Sequence, residues 1–240
     1  RIVGYQGKLH FAPGERARVF VHSALGYDVT LFTHGCTRDA VLRLGTMGPH
    51  RQEVPDRPFV ESGLSWKESF AYEVPERADP GLYSLLLENA AGLFALPMVV
   101  STPSVERGKK GRLLVLLSTN NWLAYNVWGG RNRYRSFENG EDDLGPPGLT
   151  WSQLARKRLR PYLVRLTGHR WLEHAKRTCG MQEPERPWYY RKLSVRRPVT
   201  NCALEQASPM EPFTNHLGAA EWRLLAFLER EGIGYDVAGG

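Results

Sequence analysis

The chain has 240 residues, 42% of them hydrophobic and 11% aromatic, which is enough to bury a core in one large or two modest domains. Its formal charge is +7, but residues 151–200 alone carry 13 Lys and Arg against 3 Glu, a net +10, and the remainder is at −3. Basicity is therefore a property of one segment, and a nucleic-acid reading of the whole chain is excluded.

No apolar run approaches the roughly 18–20 residues a membrane helix needs. The opening, Arg1-Ile2-Val3-Gly4, has neither Met nor a signal-like apolar segment, so the chain reads as a fragment or a processed chain. Cys36, Cys179 and Cys202 are far apart, with no Cys-x-x-Cys spacing. That count argues against a disulfide scaffold or a structural zinc site and favours reduced, cytoplasmic thiols.

Residues 1–102 predict antiparallel β structure. Arg16 to Ser23 alternates, with Ala17, Val19 and Val21 on one face, and Tyr27 to Thr33 alternates again. Val41 to Leu44, Trp66 to Val74, Gly81 to Glu88 and Gly92 to Val100 supply further strands. Pro13-Gly14, Gly26, Gly35, Gly45, Gly63 and Pro80-Gly81 punctuate them. Short strands so punctuated predict an immunoglobulin-like β-sandwich. Residues 103–112, polar and holding two glycines, read as a linker.

A second domain, residues 113–240, is expected to open at Leu113-Leu114-Val115-Leu116-Leu117. A continuous apolar run of this length suits a strand buried on both faces of a parallel sheet. Ser118, Thr119, Asn120 and Asn121 then break the pattern, followed by Tyr125, Trp128-Gly129-Gly130 and Tyr134. Ligands of open α/β sheets sit beyond the carboxyl ends of strands, so these polar and aromatic residues are placed to form a site.

Residues 135–150 contain an acidic run (Glu138, Glu141, Asp142, Asp143) among glycines and prolines. It reads as a solvated loop, with a hard-cation site as the lesser reading; its spacing is not that of an EF-hand. Residues 150–179 predict two helices: the first, kinked or divided at Pro161 and ended by Gly168, is crowded with Arg156, Lys157, Arg158, Arg160 and Arg165, and the second runs from His169 to Cys179. Such a charge run is most often a solvated face; a small subunit or a second copy of the chain is the next candidate partner, and no nucleic-acid motif accompanies it.

Residues 183–200 return to extended structure. Pro198 restrains Arg197, and a guanidinium held there is a candidate for binding a carbonyl or carboxylate oxygen in the site. Ala219, Trp222, Leu224, Leu225, Phe227 and Leu228 then form the apolar face of an amphipathic helix, with Glu221, Arg223, Glu229 and Arg230 opposite. Ile233 to Val237 starts a strand. Helix followed by strand implies a crossover onto the Leu113 strand in parallel. Two parallel strands do not complete a domain, so the α/β half, Rossmann/amidotransferase-like in type, is expected to be incomplete.

The motif Asn120-x-Trp122-x-Ala124-Tyr125-Asn126-x-Trp128-Gly129-Gly130, with Tyr134 four residues on, resembles that of the N,N-dimethylformamidase large (beta) subunit and its relatives. Where the family usually has Thr, this chain has Asn121, and Asn132-Arg133 replaces Ser-Leu. Ser194, Arg197 and Pro198 match the family's Val-Ser-Phe-x-Arg-Pro element loosely. The β-sandwich ahead of the motif is similar to that family's too, as are Gly4-Tyr5 and Pro80-Gly81-Leu82-Tyr83.

The resemblance implies an iron-dependent amidohydrolase acting on a small amide such as an N-substituted formamide. A mononuclear ferric ion would be held by Tyr125 and Tyr134, and water activated by the metal would attack the carbonyl. A phenol is a poor base at neutral pH, but a strong Lewis acid converts it to a hard anionic ligand. Asn120, Asn126 and Arg197 would support or bind substrate. The family's third ligand, a glutamate in a His-Pro-Glu-Tyr element, has no counterpart in this sequence. The competing expectations are aromatic residues that only pack, with the chain a non-catalytic binding or assembly module, and a nucleic-acid binder through residues 151–200. His169 and His174 are off the register of a helical metal pair, and no nucleophile elbow, P-loop or dinucleotide fingerprint is present.

Overall fold

Alternation over Arg16–Ser23 is realised as a strand whose Ala17, Val19 and Val21 are fully buried while Arg16 and Arg18 face solvent. A one-residue slip would exchange these two sets, which fixes the register. The structure, a computed structural model, describes residues 2–53, 60–101, 113–129, 132–133, 192–202, 204 and 217–239. The expected linker 103–112, acidic run, helices over 150–179, most of the basic segment 151–200 and Tyr134 lie outside the described residues.

The described residues are mostly strand, with few helices. A three-stranded antiparallel sheet has the order β1 (Ile2–Gln6), β3 (Arg16–Ser23), β6 (Phe70–Glu73). A five-stranded sheet runs β2 (His10–Phe11), β8 (Gly92–Val100), β7 (Gly81–Asn89), β4 (Tyr27–His34), β5 (Arg38–Met47). All its pairings are antiparallel except β2 with β8. Val19 and Val21 of the first sheet and Leu31, Leu85, Leu87 and Met98 of the second share one core. Each such side chain contributes roughly 1.5–3 kcal/mol on burial.

Two strands differ in extent from expectation. β5 is longer than Val41–Leu44 because two bulges let it follow β4; Gly45, at φ +84°, stands beside the first. β6 is shorter than Trp66–Val74. Ser69 instead uses its hydroxyl to accept from the Val21 amide at 2.9 Å, and the Trp66 indole donates to the Glu53 carbonyl at 2.7 Å.

A separate pair, β9 (Leu113–Leu117) and β10 (Tyr235–Gly239), is parallel, with Val115 opposite Val237. The helix before β10, α2 (Gly218–Arg230), supplies the crossover. Val115 and Leu117 join Trp222, Leu225 and Leu228 of α2 in a second core, together with Leu82 and Val99 of the five-stranded sheet. β7 and β8 are therefore covered on both faces, which explains the nearly unbroken burial of their residues.

β9 corrects its expectation. Leu114 and Leu116 are 56% and 63% exposed, because α2 and the five-stranded sheet pack on the Val115 and Leu117 face. α2 does so too. Leu224 and Phe227 face solvent, and the buried stripe is Gly218, Ala219, Trp222, Leu225 and Leu228. Glu221, three residues after Gly218 and four before Leu225, borders that stripe rather than lying opposite it.

Candidate functional site

The carboxyl end of β9 leads directly into α1 (Thr119–Tyr125), which carries the first half of the aromatic motif. Thr119, Trp122 and Ala124 are buried, and Trp122 is inaccessible. Asn120 is exposed, and Tyr125 is 41% exposed. One turn thus anchors the helix by its indole and leaves Tyr125 partly exposed.

Asn126 ends α1 and is fully buried. Its Oδ1 accepts from the Trp128 amide at 3.2 Å, an Asx-type turn, and from the Thr200 hydroxyl at 3.3 Å. Its Nδ2 donates to the Pro198 carbonyl at 2.8 Å. The chain then turns at Gly129, whose φ of +96° disfavours any side chain. Trp128 is buried against Trp66, edge to face, with ring centroids 6.3 Å apart. Past the turn the chain doubles back. The Arg133 amide donates to the Ala124 carbonyl at 2.9 Å, and buried Asn132 reaches the Tyr125 carbonyl at 3.4 Å.

Arg197 is fully buried. Its guanidinium donates to the carbonyls of Leu123 (3.1 Å), Asn126 (3.2 Å) and Trp128 (2.5 Å), and its Nε to that of Ser194 (3.3 Å). The expected arginine is therefore brought to the motif, where these donors engage its backbone. The segment that carries Arg197 is itself pinned: the Arg196 carbonyl accepts from the Leu64 amide at 2.7 Å.

Two further residues converge here. The Glu221 carboxylate of α2 accepts from the Ser118 amide at 2.6 Å and from the Trp122 indole at 2.8 Å. Burial pushes its carboxyl above the usual range in spite of those bonds. His10 of β2 hydrogen-bonds through Nε2 to the Thr119 hydroxyl at 2.8 Å, and burial, then the charge of Lys8, lowers its pKa. Gly239, at the end of β10, has its place because a Cβ there would strike the His10 ring. The amphipathic pattern of α2 put Glu221 on the polar face and so did not mark it as part of the site. Nothing local marked His10, whose partner is 109 residues away.

Among the described residues, no three His, Cys, Asp or Glu side chains are grouped to hold a metal. Tyr125 is the described member of the expected ligand pair and is 41% exposed. Tyr134 lies outside the described residues. No described helix is long and apolar enough to cross a membrane.

Against known families, the chain matches a model described as N,N-dimethylformamidase beta subunit-like, C-terminal, over residues 28–240. No curated protein matches it.

Proposed function

The chain belongs to the N,N-dimethylformamidase beta subunit-like family, and from that premise we propose that it hydrolyses a small amide such as an N-substituted formamide. Water adds to the carbonyl carbon and the carbon–nitrogen bond breaks, giving a carboxylate and an amine. The two sheets that share a core are read as an immunoglobulin-like sandwich. The parallel pair β9 and β10 is read as part of a Rossmann/amidotransferase-like domain. The family's name also favours assembly with another subunit, for which the basic segment 151–200 is the candidate surface.

Ferric iron held by Tyr125 and Tyr134 would supply the Lewis acidity that polarises the amide carbonyl. The observation that carries this reading is the division of labour within the motif. Trp122, Asn126 and Trp128 are buried scaffold, while Tyr125 is left accessible in the last turn of the helix that follows the parallel strand β9. The Arg133 to Ala124 hydrogen bond returns the chain to α1 after the Gly129 turn, which is the observation in favour of a two-tyrosine ligand set. In this arrangement Asn126 and Arg197 fix the backbone behind the tyrosine, and exposed Asn120 is free to meet substrate.

Elemental analysis and a visible absorption spectrum on one purified sample test the reading. The expected result is stoichiometric iron with a tyrosinate colour, bleached in Tyr125→Phe, and release of an amine from dimethylformamide. Tyr125→Phe should leave stability within about 0.5 kcal/mol, as an exposed substitution does. Trp122→Ala should cost about 3–5 kcal/mol. An iron-free, colourless and inactive protein would leave a binding or assembly module as the better description.

A further inference from the structure

α1 is only seven residues long. Helices this short are marginal in water unless something outside them holds them. Its own sequence provides little. The Ser118 side chain makes no capping hydrogen bond, the first turn holds no acidic residue, and the last turn holds no basic one. Yet Tyr125 stands in its last turn, and any chemistry at that phenol depends on where the helix ends.

Both missing elements come from distant parts of the chain. At the amino end, the Glu221 carboxylate straddles the Ser118 amide and the Trp122 indole, across 103 and 99 residues of sequence. At the carboxyl end, the Arg197 guanidinium gathers the carbonyls of Leu123, Asn126 and Trp128. The signs are right for a helix dipole, with the anion at the amino end and the cation at the carboxyl end. Each charge also answers backbone groups that a helix cannot satisfy internally. Bonds to ionised groups are the stronger kind.

We infer that Glu221 and Arg197 are positioning residues that clamp α1 from its two ends and so set the place of Tyr125. The functional part of this inference rests on the proposed iron-binding role of Tyr125; the clamp itself does not. Neither side chain needs to touch substrate. Asn126 and Thr200 brace the carboxyl end alongside Arg197, and His10 braces Thr119 at the amino end. Glu221 brings a negative charge to the amino end and Arg197 a positive charge to the carboxyl end.

Amide hydrogen exchange on the whole chain is the test, with Glu221→Gln and Arg197→Lys. Glutamine keeps one acceptor oxygen and loses the charge. Lysine keeps the charge but lacks the planar fork needed to span three carbonyls. Each variant should speed exchange over residues 119–126 by about tenfold or more, while β3 and β7 keep their rates. Unchanged exchange in α1, or an equal rise across the strands, would overturn the clamp.

The absorption spectrum of the iron-loaded protein separates this inference from the reading beneath it. A tyrosinate band that shifts or weakens in both variants supports control of Tyr125. A wild-type band preserved intact in both variants, despite faster α1 exchange, overturns that control. Faster α1 exchange in both variants, together with a wild-type protein that takes up no iron, supports the clamp and rejects only the iron reading.

Discussion

His34 of β4 meets Trp222 of α2 edge to face, with ring centroids 4.5 Å apart. The imidazole is 1% exposed and its Nε2 hydrogen-bonds to the Ser84 hydroxyl at 2.7 Å. The indole in turn donates to the Gly35 carbonyl at 2.7 Å. A histidine therefore stands at the seam between the five-stranded sheet and α2.

Burial, aided by the charge of Arg38, pushes the His34 pKa down to about 3. The folded protein holds this ring neutral, whereas the unfolded chain protonates it near pH 6.5. Its contribution is full above about pH 6.5 and is lost as pH falls toward 3, by about 1.4 kcal/mol per unit. Glu221, whose carboxyl is pushed up, works in the opposite sense. Denaturant unfolding at pH 7.5 and pH 5 should show about 2 kcal/mol of His34-dependent loss, absent in His34→Gln.

The one-sided packing of β9 gives a second prediction. Leu114→Ser and Leu116→Ser, on the exposed face, should change stability by no more than about 0.5 kcal/mol. Leu117→Ala, at a fully buried position, should cost about 2–5 kcal/mol. Equal costs in thermal or denaturant unfolding would mean that the strand is covered on both faces.

Gly63 joins the first sheet's surroundings to the segment that bears Arg197. Its φ is +75°, and a Cβ there would lie 2.6 Å from the Arg196 Cβ. Gly63→Ala should therefore destabilise by about 1–3 kcal/mol. It should also loosen the Asn126 to Pro198 bond, which the side-chain amide signals of Asn126 would report by NMR.

Arg16–Ser23, with one face buried and the other wet, has the bounds expected from its alternation. Gly92–Val100, covered on both faces, also has the bounds expected for it. The parallel return of β10 onto β9 was legible from helix followed by strand. Burial on both faces of β9 was not, because an apolar run says that a segment can be buried, not that something covers it. For the site, the motif itself was legible and its internal division was not. Which of its aromatics anchor and which face outward depends on partners such as Trp66, Glu221 and Arg197, all from other parts of the chain. Long-range hydrogen bonds of this kind leave no periodic trace.

The two-faced burial of β7 and β8 carries a consequence for cooperativity. Leu85 and Met98 belong to one core, while Leu82 and Val99 belong to the other. Melting either core would strip one side of the same hairpin. Heat should therefore dissolve both together, as a single calorimetric peak, and a chain cut after the hairpin would expose an apolar patch at Leu9, Leu82 and Val99 on which copies adhere.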